Sequence, residues 1–456
     1  MITVTLNHLA TIVGGQVRDP AIAGERTVRG VTIDSRQVAP GDLFVPIIAQ
    51  RDGHDFVSQA MATGATGYLC QQDHALATAP DAPSGAILVP DTVEALTKLG
   101  QWHRDTVDPI VVGVTGSNGK TTTKDLIAAA LGSVKPVVAT KGSFNNELGL
   151  PLTLCTLTED TEVLVSEIGA RGIGHIKAAM PILRPSIGVV TTIGAAHVGA
   201  FGSEAAIAEA KGELVEALPP EGLAILNADN PACAELAGRT SARVQTVGTK
   251  TTADLHPDNL STDAHGRVTF CLDGQLVRAP LPGIHQTTNM LAAIAVADAL
   301  DIPRIHSLPA LAHARVSPMR MASTTVGQVT IIDDTYNANE GSIIAALDTL
   351  AAIRAPRRIA VLGMVHDLED QLKPTLSRIA QYSEDIGIET LVSVNAQGLY
   401  RAGRDDTHEA ASLDEAVDLL ISLIGTQPAV VLVKASRAEG LEYIVSALTT
   451  HLEQAA

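Results

Sequence analysis

One stretch of the sequence, "PIVVGVTGSNGKTTTKDL" (residues 109–126), limits what the chain can fold into more than any other. An apolar run leads into a turn rich in glycine, and the residues after the turn are compatible with a helix. In a strand–turn–helix unit of this kind, backbone N–H groups of the turn and the N-terminus of the helix face bound phosphate. The stretch therefore predicts a phosphate-binding turn between a strand and a helix.

The spacing of the glycines departs from the strict phosphate-loop motif, in which two glycines lie five residues apart. The position five residues before Gly119 is Val114, and the nearest earlier glycine is Gly116. The groups that act on a nucleotide are still present, because Lys120 can reach the β- and γ-phosphates and the Thr121 hydroxyl can face Mg²⁺. We predict a nucleotide site; the alternative is an ordinary glycine-rich turn.

The length and composition of the chain favour several compact units and argue against nucleic-acid binding. At roughly 100–200 residues per domain, the 456 residues correspond to two to four domains. Hydrophobic residues make up 46% of the chain and aromatic residues 2%, so the cores must be mainly aliphatic. With so few aromatic side chains and a net charge of −18, the chain lacks both stacking platforms and a basic surface for nucleic acid.

The cysteines and the N-terminus favour a soluble, cytoplasmic protein. The four cysteines, Cys70, Cys155, Cys233 and Cys271, form no C-x-x-C pair, so we expect reduced core thiols and no zinc site. The N-terminus has no basic signal-like region, and no segment reaches about 20 uninterrupted apolar residues. We therefore expect no membrane insertion.

Three segments follow one another without an internal repeat. Residues 1–104 contain short strand-like runs broken by turn residues, which predicts a small N-terminal α/β domain. Strand-like and helical stretches alternate over 105–318 and again over 319–456, which predicts two further α/β domains with largely parallel sheets. The Ala- and Pro-rich stretch 308–318 is interpreted as a hinge between these two domains.

Some individual elements can be predicted more sharply. Asp273-Gly274, between two β-like runs, indicates a two-residue hairpin. The stretch 285–300 has a helical pattern. The stretch 342–353 places four apolar residues on one helical face, namely Ile343, Leu347, Leu350 and Ile353.

Two polar residues follow predicted strands of the middle segment. Glu167 ends the near-continuous apolar run of "VLVSEIGA", and His197 follows the run "VVTTIG" by a few residues. Ligands of open parallel sheets gather at the carboxyl ends of the strands, and a carboxylate there is a natural ligand of Mg²⁺. The alternatives are a loop or capping carboxylate and a structural histidine, and both pairs of interpretations stay open at this point.

A lysine stands inside the apolar stripe of the predicted helix 206–218. Lys211 lies four residues after Ile207 and three before Leu214. The helix is expected to expose a second stripe of three glutamates, Glu209, Glu213 and Glu216. One interpretation is a lysine with a buried stem and an exposed ammonium group; the other is a partly desolvated lysine with a lowered pKa.

Polar residues also cluster after two strands of the last segment. The stretch "VTIIDDTYNANEGS" (329–342) carries Asp333, Asp334, Tyr336, Asn337 and Asn339. Arg320 precedes the first strand, and Lys434, Ser436 and Arg437 follow the last. A surface loop would explain any one group, but several polar strand ends together suggest a second ligand-facing edge.

Together these motifs resemble those of the Mur ligases, a family of ATP-dependent amide ligases. The resemblance covers nearly the whole chain and rests on "GVTGSNGKTTTKD", "GSFNNELGLP", "SEIGARG", "HVGAFGS", "EAKGELVEAL", "LNADNP", "LPGIHQTTNMLAA" and "DDTYNAN". The form "TGSNGKT" is the one that this family uses. Within the family, "GSFNNELGLP" and "DDTYNAN" favour the members that attach D-alanyl-D-alanine.

The resemblance implies an α/β protein of three domains. These would be an N-terminal domain that binds the UDP-substrate (1–104), a central P-loop ATPase domain with a mostly parallel sheet (105–318) and a C-terminal Rossmann-like domain (319–456). The implied reaction is ATP-dependent ligation of D-Ala-D-Ala to UDP-N-acetylmuramoyl-tripeptide through an acyl phosphate. It would take place in the cytoplasm, on a monomeric enzyme, during the synthesis of peptidoglycan precursors.

The resemblance also implies roles for individual residues. ATP would be contacted by Gly116, Asn118, Gly119, Lys120, Thr121, Thr122, Asn289, Arg320, Asp334 and Asn337. The two other substrates would be contacted by Ser35, Arg36, Asn145, Asn146, Lys434, Ser436 and Arg437. Two Mg²⁺ ions would complete the site, one held by Thr121 and Glu167 and the other by His197 and a carbamylated Lys211. The catalytic residues would be Lys120, Glu167, His197 and Lys211.

The chain departs from the family pattern at three places. Gly199 stands where the family often has glutamate, "SPMR" replaces "PGR", and "GMVHDLED" (363–370) replaces an acidic loop. The last departure leaves open how the third domain closes and contacts the dipeptide. The alternatives are a Mur-type ligase that adds a single amino acid, a ligase like folylpolyglutamate synthase, a P-loop switch and an inactive scaffold. The sequence does not decide between lysine and diaminopimelate as the third peptide residue.

Overall fold

The structure, a computed structural model, describes residues 1–194, 198–401 and 407–455. It divides into two compact units that alternate along the chain. The first unit comprises Met1–Gly113, Lys135–Gly169 and Ile176–Ser186, and the second comprises Val114–Val134, Ala170–His175 and Ile187–Ala456. Among the described residues, no helix is both long and apolar enough to cross a membrane.

The chain up to residue 107 forms short strands and helices. In order, they are β1 (Val4–Thr5), α1 (Leu6–Val13), β2 (Gln16–Val17), α2 (Pro20–Ala23), β3 (Thr27–Val28), β4 (Gly30–Thr32), β5 (Asp42–Phe44), α3 (Val57–Thr63), β6 (Gly67–Gln71), β7 (Ala86–Val89) and α4 (Thr92–Val107).

The middle of the chain begins with alternating strands and helices and continues with three consecutive strands. Its elements are β8 (Ile110–Thr115), α5 (Lys120–Gly132), β9 (Val137–Ala139), α6 (Gly149–Leu154), β10 (Val163–Glu167), α7 (His175–Leu183), β11 (Ile187–Val190), α8 (Val198–Phe201), α9 (Glu204–Glu216), β12 (Leu223–Asn227), α10 (Pro231–Ala234), β13 (Arg243–Val247), β14 (Asp258–Thr262), β15 (Arg267–Leu272), β16 (Gln275–Pro282), α11 (Gln286–Ala299) and α12 (Arg304–Ala312).

The last part of the chain again alternates strands and helices. Its elements are β17 (Ala322–Val326), β18 (Val329–Asp333), α13 (Glu340–Ala352), β19 (Arg357–Leu362), α14 (Leu372–Asp385), β20 (Thr390–Val394), β21 (Thr407–Ala410), α15 (Leu413–Ile424), β22 (Ala429–Lys434) and α16 (Glu442–Ala455).

The first unit contains a five-stranded sheet of order β2-β7-β6-β5-β4, in which only β2 runs antiparallel to its neighbour. It also contains the antiparallel pair β1–β3 and the parallel pair β9–β10. Leu6, Leu9 and Val13 of α1 pack with Leu96 and Leu99 of α4 in one apolar core. The predicted α/β character of the N-terminal segment is therefore confirmed.

The second unit contains the parallel strands β11, β12 and β13, and an antiparallel sheet of order β14-β15-β16. Its largest sheet has the order β17-β18-β22-β19-β20-β21, and only β17 runs antiparallel to its neighbour. The prediction of an α/β protein with mostly parallel sheets is confirmed by both units.

The largest sheet is covered on both faces, which explains its continuous apolar strands. In β22, Val430 and Leu432 face a core that includes residues of α13 and α14, while Val431 and Val433 face a core that includes residues of α15 and α16. Successive side chains of a strand point to opposite faces, so a strand buried on both sides has no polar alternation. These cores are mainly aliphatic, as the composition requires.

The sharper predictions of local structure are confirmed. Asp273 and Gly274 link β15 to β16 with φ angles of 49° and 77°, values that a tight two-residue hairpin turn requires. The stretch 285–300 contains α11, and 342–353 largely coincides with α13. All four predicted apolar residues are buried; Ile343, Leu347 and Leu350 lie on α13, and Ile353 is its C-cap residue with an extended backbone.

Four strands of the second unit have no counterpart among the sequence predictions, namely β13, β14, β17 and β21. Strands β14 and β17 lie at sheet edges and expose most of their side chains. Strand β21, "THEA", contains no apolar run. Such strands are held by main-chain pairing, so the pattern of hydrophobic residues does not reveal them.

The stretch 308–318, interpreted as a hinge, is not a loop throughout. Helix α12 continues to Ala312 and contains Pro309 within it. Leu308 and Leu311 on this helix are buried, and their packing outweighs the low helix propensity of proline. Only residues 313–318 are non-helical.

The hairpin turn provides a test of the fold. Gly274→Ala should destabilise the protein by about 1–2 kcal/mol, because alanine resists positive φ. No described heavy atom lies within 4 Å of the added Cβ, so steric contact contributes nothing. Gly132→Ala, equally uncrowded at the end of α5, should instead stabilise by about 0.5–1 kcal/mol. Urea unfolding of the two variants beside wild type measures both effects; equal stability of all three would contradict the turn.

Candidate active site

The turn between β8 and α5 is built from glycines that no other residue could replace without strain. Gly116 has a φ of 147°, and Gly119, the N-cap residue of α5, has a φ of 82°. A Cβ at Gly116 would lie 2.1 Å from Oγ1 of Thr191, and one at Gly119 would lie 2.8 Å from Oδ1 of Asn289. The turn is therefore compact and leads into the positive end of the α5 dipole, a favourable place for an anion.

The segment after β11 fixes the conformation of this turn. The Ser117 N–H donates to the carbonyl of Thr192 at 2.7 Å, and its hydroxyl donates to the carbonyl of Gly194 at 2.9 Å. The Asn118 N–H donates to Oγ1 of Thr192 at 2.9 Å, and the Thr191 hydroxyl donates to the carbonyl of Asn118. The conformation of the turn is thus fixed by hydrogen bonds of the main chain of Ser117 and Asn118 and of the Ser117 hydroxyl.

The residues that begin α5 carry a charge and hydroxyl groups at the turn. The Lys120 ammonium group donates to the carbonyls of Gly116 at 2.7 Å and Ser117 at 3.1 Å, so it lies over the turn. Thr121 and Thr122 are buried directly after it. A cation above a glycine turn and a hydroxyl at the start of its helix suit a bound phosphate chain. Their roles toward a nucleotide stay predictions.

Asn289 on α11 connects that helix to α5. Its Oδ1 accepts a hydrogen bond from the Thr123 hydroxyl at 3.1 Å, and its Nδ2 donates to Oε1 of Gln286 at 2.9 Å. A small cavity adjoins it, with walls that include Val189, Ile225 and Ala292. Contact of Asn289 with adenine stays a prediction.

Lys211 lies in the apolar stripe of α9, as the sequence pattern indicated. It is 4% exposed, and Ile207 and Leu214 beside it are fully buried. Its Nζ lies 5.9 Å from the centre of the Phe201 ring. The ammonium group therefore does not extend freely into water, which disfavours the interpretation of an exposed charge on a buried stem. His197, the other predicted ligand of this metal, lies outside the described residues.

The predicted exposed stripe of α9 is wrong at one residue. Glu209 and Glu216 are exposed, but Glu213 is buried. The carboxylate of Glu213 accepts a hydrogen bond from the N–H of Gly174, a residue distant in sequence. Such a charge-assisted bond offsets the cost of removing a carboxylate from water, and helical periodicity alone does not anticipate it.

In the first unit, Glu167 ends β10 and is 1% exposed. Its N–H donates to Oγ1 of Thr140 at 3.1 Å, and its Oε1 accepts a hydrogen bond from Nδ2 of Asn145 at 2.6 Å. Its other oxygen, Oε2, is buried and has no hydrogen-bond partner among the described residues. A buried, unpaired carboxylate oxygen is costly, and a cation would relieve that cost.

The other predicted substrate residues of the first unit differ in exposure. Asn146 is exposed, and its Oδ1 accepts a hydrogen bond from the N–H of Gly149 at the start of α6, at 2.9 Å. Ser35 is buried and donates to Oε1 of Gln59 at 3.2 Å. Asn146 thus shapes a local turn, and Ser35 contacts helix α3 through Gln59.

Arg36 projects from the surface with its charge balanced locally. Its Nε and Nη2 donate to the two carboxylate oxygens of Asp34 at 2.9 and 2.8 Å. These hydrogen bonds lower the pKa of Asp34 to about 2. The guanidinium group remains 80% exposed, so it is free to meet an anionic group that arrives from solvent.

In the second unit, the ends of β18 and β22 share a buried ion pair. Lys434 is 2% exposed, and its ammonium group donates to Oδ2 of Asp334 at 2.5 Å and to the carbonyl of Asn337 at 2.9 Å. Oδ1 of Asp334 accepts a hydrogen bond from the N–H of Met321 at 3.1 Å. The structure thus brings Asp334, Asn337 and Lys434 together at one edge of the large sheet, although their contacts with ligands stay untested.

Two arginines border this ion pair. Arg320 stacks on the ring of Tyr336, with its Cζ 4.0 Å from the ring centre. Nη1 of Arg437 lies 3.4 Å from the sulfur of Met319 and also pairs with Glu442. Cationic and anionic side chains therefore both lie near the carboxyl ends of β18 and β22, since Lys434 pairs with Asp334 and Arg437 pairs with Glu442.

The departures from the family pattern at Gly199 and at 363–370 lie against each other. A Cβ at Gly199 would lie 3.1 Å from the carbonyl oxygen of Asp367 and 3.4 Å from Oε1 of Glu369. The loop is attached to β22 through Ser436, which accepts a hydrogen bond from the N–H of His366 at 3.0 Å. A larger side chain at position 199 would therefore need this loop to move.

Two polar residues of the second unit were not identified as site residues from the sequence. His285, just before α11, is partly exposed, but its Nδ1 is buried with no hydrogen-bond partner among the described residues, and desolvation lowers its pKa. Asn339, known from the sequence only as one polar residue after a strand, contacts Asn118 of the phosphate loop. The pattern Asn-x-x-Ser before an apolar helix could have identified Asn339 as a helix cap.

Comparison with known proteins gives matches along most of the chain. Three family models match: Mur ligase family, catalytic domain (residues 27–101), Mur ligase middle domain (114–297), and Mur ligase, glutamate ligase domain (319–437). The chain is 38% identical to the UDP-N-acetylmuramoyl-tripeptide–D-alanyl-D-alanine ligase of Mycobacterium tuberculosis, over 98% of each chain.

Comparison with solved structures also gives matches along most of the chain. MurF from Acinetobacter baumannii matches with a TM-score of 0.88 and 27% identity, over 98% of this chain and 99% of that one. MurF ligase from Thermotoga maritima in complex with ADP matches with a TM-score of 0.80 and 26% identity, over 94% and 99%. The predicted three-domain architecture is confirmed by these matches.

The buried ion pair generates a prediction. Asp334→Ala should destabilise the protein by about 3–5 kcal/mol, because it leaves the Lys434 ammonium buried without its counter-charge. The matched control, Glu94→Ala, removes the exposed partner of Lys98 and should cost less than about 1 kcal/mol. Chemical denaturation measures both. Comparable losses in the two variants would show that Lys434 is not held as a buried, paired charge.

Proposed function

The chain belongs to the Mur ligase family, and on that basis we propose that it joins D-alanyl-D-alanine to UDP-N-acetylmuramoyl-tripeptide with conversion of ATP to ADP and phosphate. The observation that carries this proposal is the compact glycine turn with Lys120 above it, in a chain that resembles enzymes named for this reaction along almost its whole length. The ADP complex of the Thermotoga maritima structure supports the choice of nucleotide. The product is a precursor of peptidoglycan.

The proposed reaction has two steps. A carboxylate oxygen of the tripeptide attacks the γ-phosphorus of ATP, which gives an acyl phosphate and ADP. The amine of D-Ala-D-Ala then attacks the acyl carbon and loses a proton, and phosphate leaves from the tetrahedral intermediate. Activation of the acid in this way divides one difficult condensation into two easier steps. Lys120 supplies positive charge where the transferred phosphoryl group is negative.

We propose two Mg²⁺ ions, one held by Thr121 and Glu167 and one by His197 and a carbamylated Lys211. The unpaired, buried Oε2 of Glu167 supports the first ion, because Mg²⁺ prefers carboxylate and hydroxyl oxygens. When bound, the ions would neutralise negative charge on the phosphoryl group during its transfer. Glu167 is oriented for this task by Asn145, whose amide holds its other oxygen.

The proposal assigns the remaining residues to the three substrates. The nucleotide would contact the phosphate loop, including Gly116, Asn118, Gly119 and Thr122, and also Asn289, Arg320, Asp334 and Asn337. The UDP end would contact Ser35 and Arg36, and the muramoyl-peptide would pass Asn145 and Asn146. Lys434, Ser436 and Arg437 would line the third-domain side. The stacked guanidinium of Arg320 and the exposed guanidinium of Arg36 support roles in anion binding.

Three further points belong to the proposal. The domains are taken as 1–104, 105–318 and 319–456, which agrees with one matched family model in each range.

The non-helical residues 313–318 would act as the hinge that closes the third domain and excludes water from the acyl phosphate. The protein would work as a monomer in the cytoplasm, a reducing compartment that suits its four free cysteines.

The substrate assignment can be tested by phosphate release. With ATP, Mg²⁺ and UDP-N-acetylmuramoyl-tripeptide, D-Ala-D-Ala should stimulate release strongly, and Lys120→Ala should reduce the rate at least about 100-fold. Tripeptides with lysine and with diaminopimelate, assayed in parallel, identify the third residue. If single amino acids or glutamate stimulate release and D-Ala-D-Ala does not, the chain is a different ligase of the same fold.

Lys211 can be tested separately. A free ammonium group beside two Mg²⁺ ions would be repelled, whereas a neutral amine can add CO₂ and become an anionic carbamate. Lys211→Ala should therefore lose most activity while still folding, and Lys211→Arg should also fail because guanidinium stays charged. Added acetate should partly restore the alanine variant, since it fills the vacated space with a carboxylate.

The control for this experiment is Lys98→Ala, which removes a half-exposed lysine of α4 and should leave turnover unchanged with or without acetate. Near-wild-type turnover of Lys211→Ala at saturating ATP would contradict the carbamate. Activity loss without any rescue, together with a much lower unfolding temperature, would assign Lys211 to packing alone.

A further inference from the structure

The phosphate loop is joined to helix α13 by a reciprocal pair of amide side chains. Nδ2 of Asn339 donates to Oδ1 of Asn118 at 2.7 Å, and Nδ2 of Asn118 donates to Oδ1 of Asn339 at 3.2 Å. The two residues are 221 positions apart in the sequence. Both belong to the second unit, and both are partly buried. The pair is the direct side-chain connection between the turn after β8 and the start of α13.

The two amides of the pair are held in place by independent contacts. Asn118 has its main chain fixed by Thr191 and Thr192. Asn339 is the N-cap residue of α13: its Oδ1 also accepts from the N–H of Ser342 at 2.9 Å, and the Ser342 hydroxyl returns to the main chain of Asn339 in a capping box. Because each partner is anchored elsewhere, the pair transmits the position of one element to the other.

The segment that ends at Asn339 carries groups that the proposed function assigns to the nucleotide. Asp334 and Asn337 lie between the end of β18 and Asn339, and Lys434 holds both of them. One end of this segment is therefore fixed by a strand and an ion pair. The other end is fixed by the cap of α13 and, through it, by the phosphate loop.

We propose that Asn339 is a positioning residue for the nucleotide: it sets segment 334–339 at a fixed distance from the phosphate loop, so that both bind one nucleotide together. The inference rests on the proposed function in that the loop and the segment contact the same ATP or ADP. A nucleotide that meets two prearranged elements loses less affinity to their ordering than one that must bring them together. Both the nitrogen and the oxygen of the Asn339 amide contact Asn118, and the oxygen also caps the helix.

The two tasks of Asn339 can be separated by substitution. Serine caps a helix about as well as asparagine, but it lacks the amide that reaches Asn118. Asn339→Ser should therefore unfold within a few degrees of wild type, yet bind ADP on the order of tenfold more weakly, because ADP must then order the two elements itself. Its KM for ATP should rise in parallel. Ser412→Ala, which removes the N-cap of α15 in the same sheet domain, should lower the unfolding temperature without changing ADP affinity.

A double-mutant cycle distinguishes coupling from two separate effects. ADP affinities are measured by titration calorimetry for wild type, Asn118→Ser, Asn339→Ser and the double variant. If the pair acts as a unit, the double variant binds ADP no more weakly than the weaker single variant. Wild-type affinity in Asn339→Ser, or additive losses in the double variant, would overturn the proposal. ADP binding needs no acceptor amine, so a failure of D-Ala-D-Ala to support phosphate release would refute the proposed function and leave this comparison valid.

Discussion

The close approach of the β8–α5 turn to the segment after β11 is the constraint on which the site depends. Gly116 can lie against Thr191 only because it has no side chain, and the same contact lets the main chain of Ser117 and Asn118 bond to that segment. The turn needs positive φ angles at Gly116 and Gly119 as well. Once the turn is fixed, Lys120, the start of α5 and the amide of Asn118 have fixed positions, and the contact with α13 becomes available.

Much of the architecture could be predicted because the strands of a parallel sheet that is covered on both faces are nearly continuous runs of apolar residues. The continuous apolar runs of β10, β12, β19 and β22 admit few other interpretations, and Ile343, Leu347 and Leu350 of α13 have the helical period. Edge strands such as β14 and β17 have no run of apolar residues, since they contribute main-chain hydrogen bonds and expose most of their side chains. The stretch around Pro309 was interpreted as a hinge because proline disfavours helices. The tertiary packing of Leu308 and Leu311 outweighs that local preference, and the helix continues.

Site residues could be predicted where they belong to one short motif. They could not be predicted where their hydrogen-bond partners are distant in the sequence. The place of Lys120 at the glycine turn follows from its motif, whereas the neighbours of Lys211 on α9 left both an exposed and a desolvated ammonium group open. Nothing near Glu213 in the sequence reveals that Gly174 will donate to it, and nothing near Asn339 reveals Asn118. Such pairs are set by the tertiary fold, and a single sequence contains no local trace of them.

The strand order of the largest sheet has a consequence for biosynthesis. Strand β22, the last in the chain, lies between β18 and β19, which were made long before it. Before β22 is synthesised, β18 and β19 lack the strand that pairs with both of them, so Ile331, Ile332, Ile359 and Ala360 lack the partners that they have in the folded sheet. Unpaired edges of this kind bind other strands. The parallel pairing of β18 and β19 with their shared neighbour therefore has to wait until β22 has been synthesised, and the two edges are open to mispairing until then.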